Sequence, residues 1–143
     1  MQTKPFFWES EVRELTHLLA DVIYAEGTKE TSGNPGNVRN LEALAAVILN
    51  RAQLETAHGA DGKNLKKLCE AWLRETRLPP NADKDSPLFQ ACLRIARRAL
   101  AGVLRDPTQG ATRFCPEDQL PAWARGRTPA AAFGSYLYYR EGA

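Results

Sequence analysis

The chain has 143 residues, 43% of them hydrophobic and 25% charged, which suits one domain able to bury a core without disulfides or metal and excludes a disordered chain. Its 19 Lys and Arg against 17 Asp and Glu leave a formal net charge of +2, too small an excess for a nucleic-acid binder though compatible with an anionic wall polymer. No stretch reaches the roughly 20 apolar residues of a membrane span.

The first ten residues carry one lysine before Phe6, Phe7 and Trp8 and offer no apolar run of signal-peptide length. A first helix is predicted over residues 10–26, with Ser10 as N-cap and Gly27 as stop. Val12, Leu15, Leu19 and Val22 form its apolar stripe, and the next step of four lands on Glu26. After a loop over residues 28–39, Asn40 is expected to cap a second helix. That helix is the expected centre of the core, with Leu41, Leu44, Ala45 and Ile48 on one face, and it continues through Asn50 and Arg51.

A polar connector over residues 58–63 leads to a short amphipathic helix bearing Leu65, Leu68, Cys69 and Trp72 on one side and ended by Pro79 and Pro80. Ser86 and Pro87, cap then proline, open a long helix with Leu88, Phe89, Cys92, Ile95, Ala96, Ala99 and Val103 inward. Arg94, Arg97 and Arg98 decorate its solvent side without interleaved aromatics, which reads as a solvated face and not as a nucleic-acid site.

Asp106-Pro107-Thr108-Gln109-Gly110 is a turn, residues 111–115 a short extended run, and residues 116–129 a Pro/Gly-punctuated loop containing Trp123. Residues 133–139 read as a second strand, able to pair antiparallel with the first. The expected fold is mainly α (α+β): one domain over residues 1–143, helical, with a small antiparallel β element near the C-terminus.

The three cysteines, Cys69, Cys92 and Cys115, are odd in number and lack zinc-site or redox spacing, so they are read as reduced. With only His17 and His58 besides, no metal and no cofactor is expected. The chemistry then falls to Glu26. On a buried stripe at a helix C-terminus, desolvation and the helix dipole both disfavour a charged carboxylate. A glutamic acid held there can give its proton to a glycosidic oxygen. Spacing alone favours the plainer reading, a last-turn glutamate that simply reaches water.

Ile23-Tyr24-Ala25-Glu26 followed by Glu30 resembles the tyrosine-alanine-glutamate-alanine-arginine-glycine-glutamate signature of the spore cortex-lytic enzyme family of cell-wall hydrolases. Further segments resemble that family in the same order: Glu42 with Ala46-Val47-Ile48-Leu49-Asn50-Arg51, Ala99-Leu100-Ala101-Gly102, and the turn from Asp106 through Gly110 to Ala111-Thr112. Pro121-Ala122-Trp123-Ala124 and the closing Phe133-Gly134 to Tyr138-Tyr139 complete the series, which spans roughly residues 15–140. Arg113 and Tyr136 stand where the family usually shows histidine, and residues 69–89 lack its glutamine-phenylalanine-serine segment.

The resemblance implies a lysozyme-like fold with Glu26 as catalytic acid. It implies cleavage of peptidoglycan between N-acetylmuramic acid and N-acetylglucosamine, in the manner of a metal-free lytic transglycosylase. Thr112, Arg113, Phe114, Trp123, Tyr136 and Tyr138 are then candidate substrate contacts, offering flat apolar faces and hydrogen bonds to sugars; each of the aromatics would serve equally in a core. Glu30 is the candidate second carboxylate, with a loop role bonding backbone amides or pairing with Arg51 as its alternative. Asn50 and Arg51 are read as tying down backbone at the helix end.

The implied partner is the peptidoglycan glycan strand, met in the periplasm or at the wall. Delivery by a phage-type lysis route with its partner proteins, as part of a phage-like particle, or within a longer secreted precursor all fit. The alternatives are muramidase-type hydrolysis and a non-catalytic glycan-binding or structural protein on the same scaffold.

Overall fold

The apolar stripe of the first helix meets three other helices. In the computed structural model, which describes residues 9–29, 38–54, 62–76 and 83–140, these are α1 (Glu9–Gly27), α2 (Val38–Leu54), α3 (Gly62–Glu75) and α4 (Pro87–Leu100). Leu15, Leu19, Val22 and Ile23 of α1 pack with Leu41 and Ile48 of α2, Leu65 and Cys69 of α3, and Phe89, Cys92 and Ile95 of α4. Full burial of a side chain such as Phe89 contributes roughly 1.5–3 kcal/mol. None of the helices among the described residues is long and apolar enough to cross a membrane.

The fourth helix begins as its sequence dictates. Ser86 Oγ accepts the Phe89 backbone N–H at 3.2 Å, and Pro87 occupies the first turn, where no backbone donor is needed. It ends three residues before Val103, which is 66% exposed and not inward as expected. The cause is Gly102, whose φ of +77° reverses the chain. Gly102 N then bonds Ala99 O and Val103 N bonds Arg98 O, closing the helix in a Schellman motif.

Other boundaries shift as well. The first helix already includes Ser10, and Val12 lies at the edge of the stripe, 37% exposed. Asn40 is the third residue of α2 instead of its cap; it is buried, and Tyr138 donates its hydroxyl to Asn40 Oδ1 at 2.5 Å. The third helix starts at Gly62, within the expected connector. Pro79 and Pro80 lie outside the described residues.

The C-terminal third supplies a three-stranded antiparallel sheet of order β1-β3-β2, with β1 Arg113–Pro116, β2 Ala131–Phe133 and β3 Tyr136–Tyr139. The expected pairing across the loop is present, with Phe114 opposite Tyr138. The single strand expected over residues 133–139 is instead part of a hairpin, because Gly134 takes φ +59° and turns the chain between β2 and β3.

Strand alternation sorts the aromatics. Tyr136, Tyr138, Phe114 and Phe133 face α2 and pack on Ala43, Leu44 and Val47. Cys115, Leu137 and Tyr139 face the other way, toward Trp123 and Ala124.

The chain enters β1 through the Asp106 turn. Asp106 Oδ1 accepts the Thr108 backbone N–H (2.7 Å) and hydroxyl (2.6 Å), while Oδ2 accepts Gly110 N–H (2.9 Å) and Asn50 Nδ2 (3.0 Å). Burial alone would push this carboxyl up, but the hydrogen bonds from Thr108, Asn50 and Gly110 outweigh it and hold it below the ordinary aspartate range. Asn50 Nδ2 also bonds Ala111 O at 2.9 Å, tying α2 to the start of the sheet as expected.

Candidate functional site

The four-residue rhythm of α1 delivers Glu26 to the helix end, where it is 7% exposed and walled by two other elements. Trp72 of α3 and Thr76, the residue that follows the helix, supply two donors to one carboxylate oxygen. Trp72 Nε1 reaches Glu26 Oε1 at 2.7 Å and the Thr76 hydroxyl reaches it at 3.1 Å. Lys29 Nζ lies 3.7 Å from the same oxygen and donates to Thr76 Oγ1 at 3.2 Å. From the sheet, Tyr136 donates its hydroxyl to the Glu26 backbone carbonyl at 3.2 Å. The three contacts to the carboxyl, from Trp72, Thr76 and Lys29, all fall on Oε1.

Aromatic rings extend the site. Phe114 of β1 lies nearly parallel to Trp72, at 5.7 Å between centroids and 7° between planes. Tyr136 meets Phe114 edge-on at 5.5 Å. The exposed Arg51 guanidinium sits 5.5 Å from the Trp72 ring centroid, a cation–π contact. Trp72 is thereby clamped between α2, the sheet and Glu26. A buried carboxylate is tolerated only where donors replace its water, and Trp72 and Thr76 do that here.

Of the residues singled out in the sequence, the fold thus gathers Glu26, Phe114 and Tyr136. Tyr138 lies on the same sheet face but is fully buried beneath α2, its hydroxyl spent on Asn40. Thr112 is buried at the start of β1, its backbone N–H bonded to Tyr139 O. Arg113 and Trp123 occupy the opposite face: the guanidinium lies 5.3 Å from the Trp123 ring, which meets Tyr139 edge-on. Glu30 lies outside the described residues.

Trp72 and Thr76 escaped sequence reasoning as partners of Glu26. They stand 46 and 50 residues away, and nothing local connects them to it. The available signal was the stripe Leu65, Leu68, Cys69, Trp72, whose next step of four is Thr76, the same rhythm that singled out Glu26.

The other reactive groups are elsewhere and subdued. All three cysteines are unpaired and buried. Burial pushes the Cys69 and Cys92 thiols up to about 12 and raises Cys115 as well, leaving none of them nucleophilic near neutral pH. Among the described residues no group of three or more His, Cys, Asp or Glu converges as a metal site would require. An open hollow of about 460 Å³ lined by Arg13, His17, Asp21 and Glu70 lies along earlier turns of α1, among residues that do not touch Glu26. Arg94, Arg97 and Arg98 are exposed, with Arg98 3.5 Å from Glu42.

No protein-family model, curated protein or solved structure matches this chain.

Proposed function

We propose that this chain cleaves peptidoglycan glycan strands between N-acetylmuramic acid and N-acetylglucosamine as a lytic transglycosylase, with Glu26 as its one acid and base. The observation that carries the reading is the Glu26 carboxyl, buried at a helix end and fixed through Oε1 by Trp72 and Thr76 beside Phe114 and Tyr136. A hydrolase would use a second carboxylate as nucleophile or water activator, and Glu30, the candidate for that role, lies outside the described residues.

A transglycosylase avoids that need. Glu26 protonates the glycosidic oxygen as the bond breaks, then takes the proton of the muramic acid 6-hydroxyl as that oxygen attacks its own anomeric carbon. The product is a 1,6-anhydro ring. The substrate places the protein in the periplasm or at the wall, reached by a phage-type lysis route, in a phage-like particle or from a longer secreted precursor.

One observation favours a second reading. The bonds from Trp72 and Thr76 also fasten α1 to α3, as they would in a non-catalytic glycan-binding or structural protein. Glu26→Gln separates the two, since it keeps the shape and one acceptor but removes the acid. Catalysis predicts a loss of roughly 100-fold or more in turbidity clearance of purified peptidoglycan; equal inactivity of both forms supports the second reading.

A further inference from the structure

Resting on the catalytic reading of Glu26, we infer that Trp72 and Thr76 are positioning residues that dedicate the carboxyl oxygen Oε2 to proton transfer. The direction of each contact is forced by the donors involved. An indole N–H only donates, so Glu26 Oε1 accepts from Trp72 at 2.7 Å. A lysine ammonium also only donates, so Thr76 Oγ1 accepts from Lys29 at 3.2 Å. The single hydroxyl proton of Thr76 is then aimed at Glu26 Oε1, 3.1 Å away.

With its lone pairs facing two donors and the Lys29 ammonium at 3.7 Å, Oε1 is the wrong oxygen to carry a proton. The transferable proton resides on Oε2, on which none of these bonds falls. The plane of the carboxyl is set by the same contacts. Trp72 is itself held by Phe114 and Arg51, and Thr76 by its backbone bond to Trp72 O at 2.8 Å.

The test compares wild type with Thr76→Val, Thr76→Ser and Trp72→Phe on purified peptidoglycan. Thr76→Val keeps the shape and loses the proton; it is expected to lower kcat roughly 10- to 100-fold with KM within about twofold, as a misaimed acid does. Thr76→Ser restores kcat to within about threefold, which a purely structural loss would not produce. Trp72→Phe behaves like Thr76→Val. A companion measurement needs no turnover: the Trp72 indole proton exchanges slowly with solvent in wild type and fast in Glu26→Ala. Full kcat in Thr76→Val and Trp72→Phe while wild type cleaves overturns the inference and leaves the proposed function standing. An inactive wild type overturns the proposed function itself, and equal indole exchange in both proteins overturns the hydrogen bond on which the inference stands.

Discussion

Replacing Asp106 by asparagine tests how the sheet is joined to the helical body. The carboxylate accepts four hydrogen bonds, two on each oxygen, from Thr108, Gly110 and Asn50. An amide keeps one oxygen, so whichever way it turns, two donors meet an N–H instead of an acceptor. Hydrogen bonds to charged groups are worth about 1.5–3 kcal/mol each. Water reaches the partly exposed turn and recovers a share, leaving an expected loss of about 2–4 kcal/mol for Asp106→Asn.

With an unfolding slope of about 2 kcal/mol per M urea, the midpoint falls by about 1–2 M at pH 7 with the slope unchanged. The pH dependence has a fixed sign. The folded carboxyl sits below its ordinary range, so its contribution is complete above the unfolded value near 4 and is lost as pH falls through the lower folded value. The stability gap between wild type and Asp106→Asn therefore stays constant from pH 7 to about pH 5 and narrows below about pH 4. A midpoint within about 0.3 M of wild type at pH 7, or a gap that widens on acidification, refutes the reasoning.

Tyr138→Phe removes the donor to buried Asn40 Oδ1 and is expected to cost about 1–3 kcal/mol, read as a lower urea midpoint; unchanged stability contradicts that role. The buried thiols give a third check. With Cys69 and Cys92 pushed up to about 12, roughly one thiol in ten thousand is ionised at pH 8. A disulfide reagent should therefore leave both unmodified in the folded protein and label all three cysteines once urea unfolds it. Rapid labelling of Cys69 or Cys92 without unfolding would show that the helical core opens readily.

Much of the scaffold was legible because the deciding signals are local. Ser86-Pro87 specifies a helix start through one cap and one missing donor, and Asp106 through Gly110 specifies a turn through side-chain acceptors two and four residues ahead of their donors. Periodicity put Glu26 in line with the apolar stripe of α1 but did not decide between burial and water; the packing of α3 and the sheet decides it. What local pattern could not supply was the partner across space. Asn40 looked like a cap because asparagine suits caps, yet the fold uses it to satisfy a tyrosine 98 positions later. Trp72 read as the end of an apolar stripe, and Thr76 carried no reading, until α3 packed beside α1. The hairpin turn at Gly134 did carry a local mark, a glycine interrupting an apolar run.

The most direct test is mass spectrometry of muropeptides released from purified peptidoglycan by wild type and by Glu26→Gln. The account predicts wild-type products one water lighter than simple hydrolysis gives, ending in 1,6-anhydro-muramic acid, and none from Glu26→Gln. Reducing-end muramic acid would contradict the transglycosylase step, and undiminished release by Glu26→Gln would contradict Glu26 as the acid.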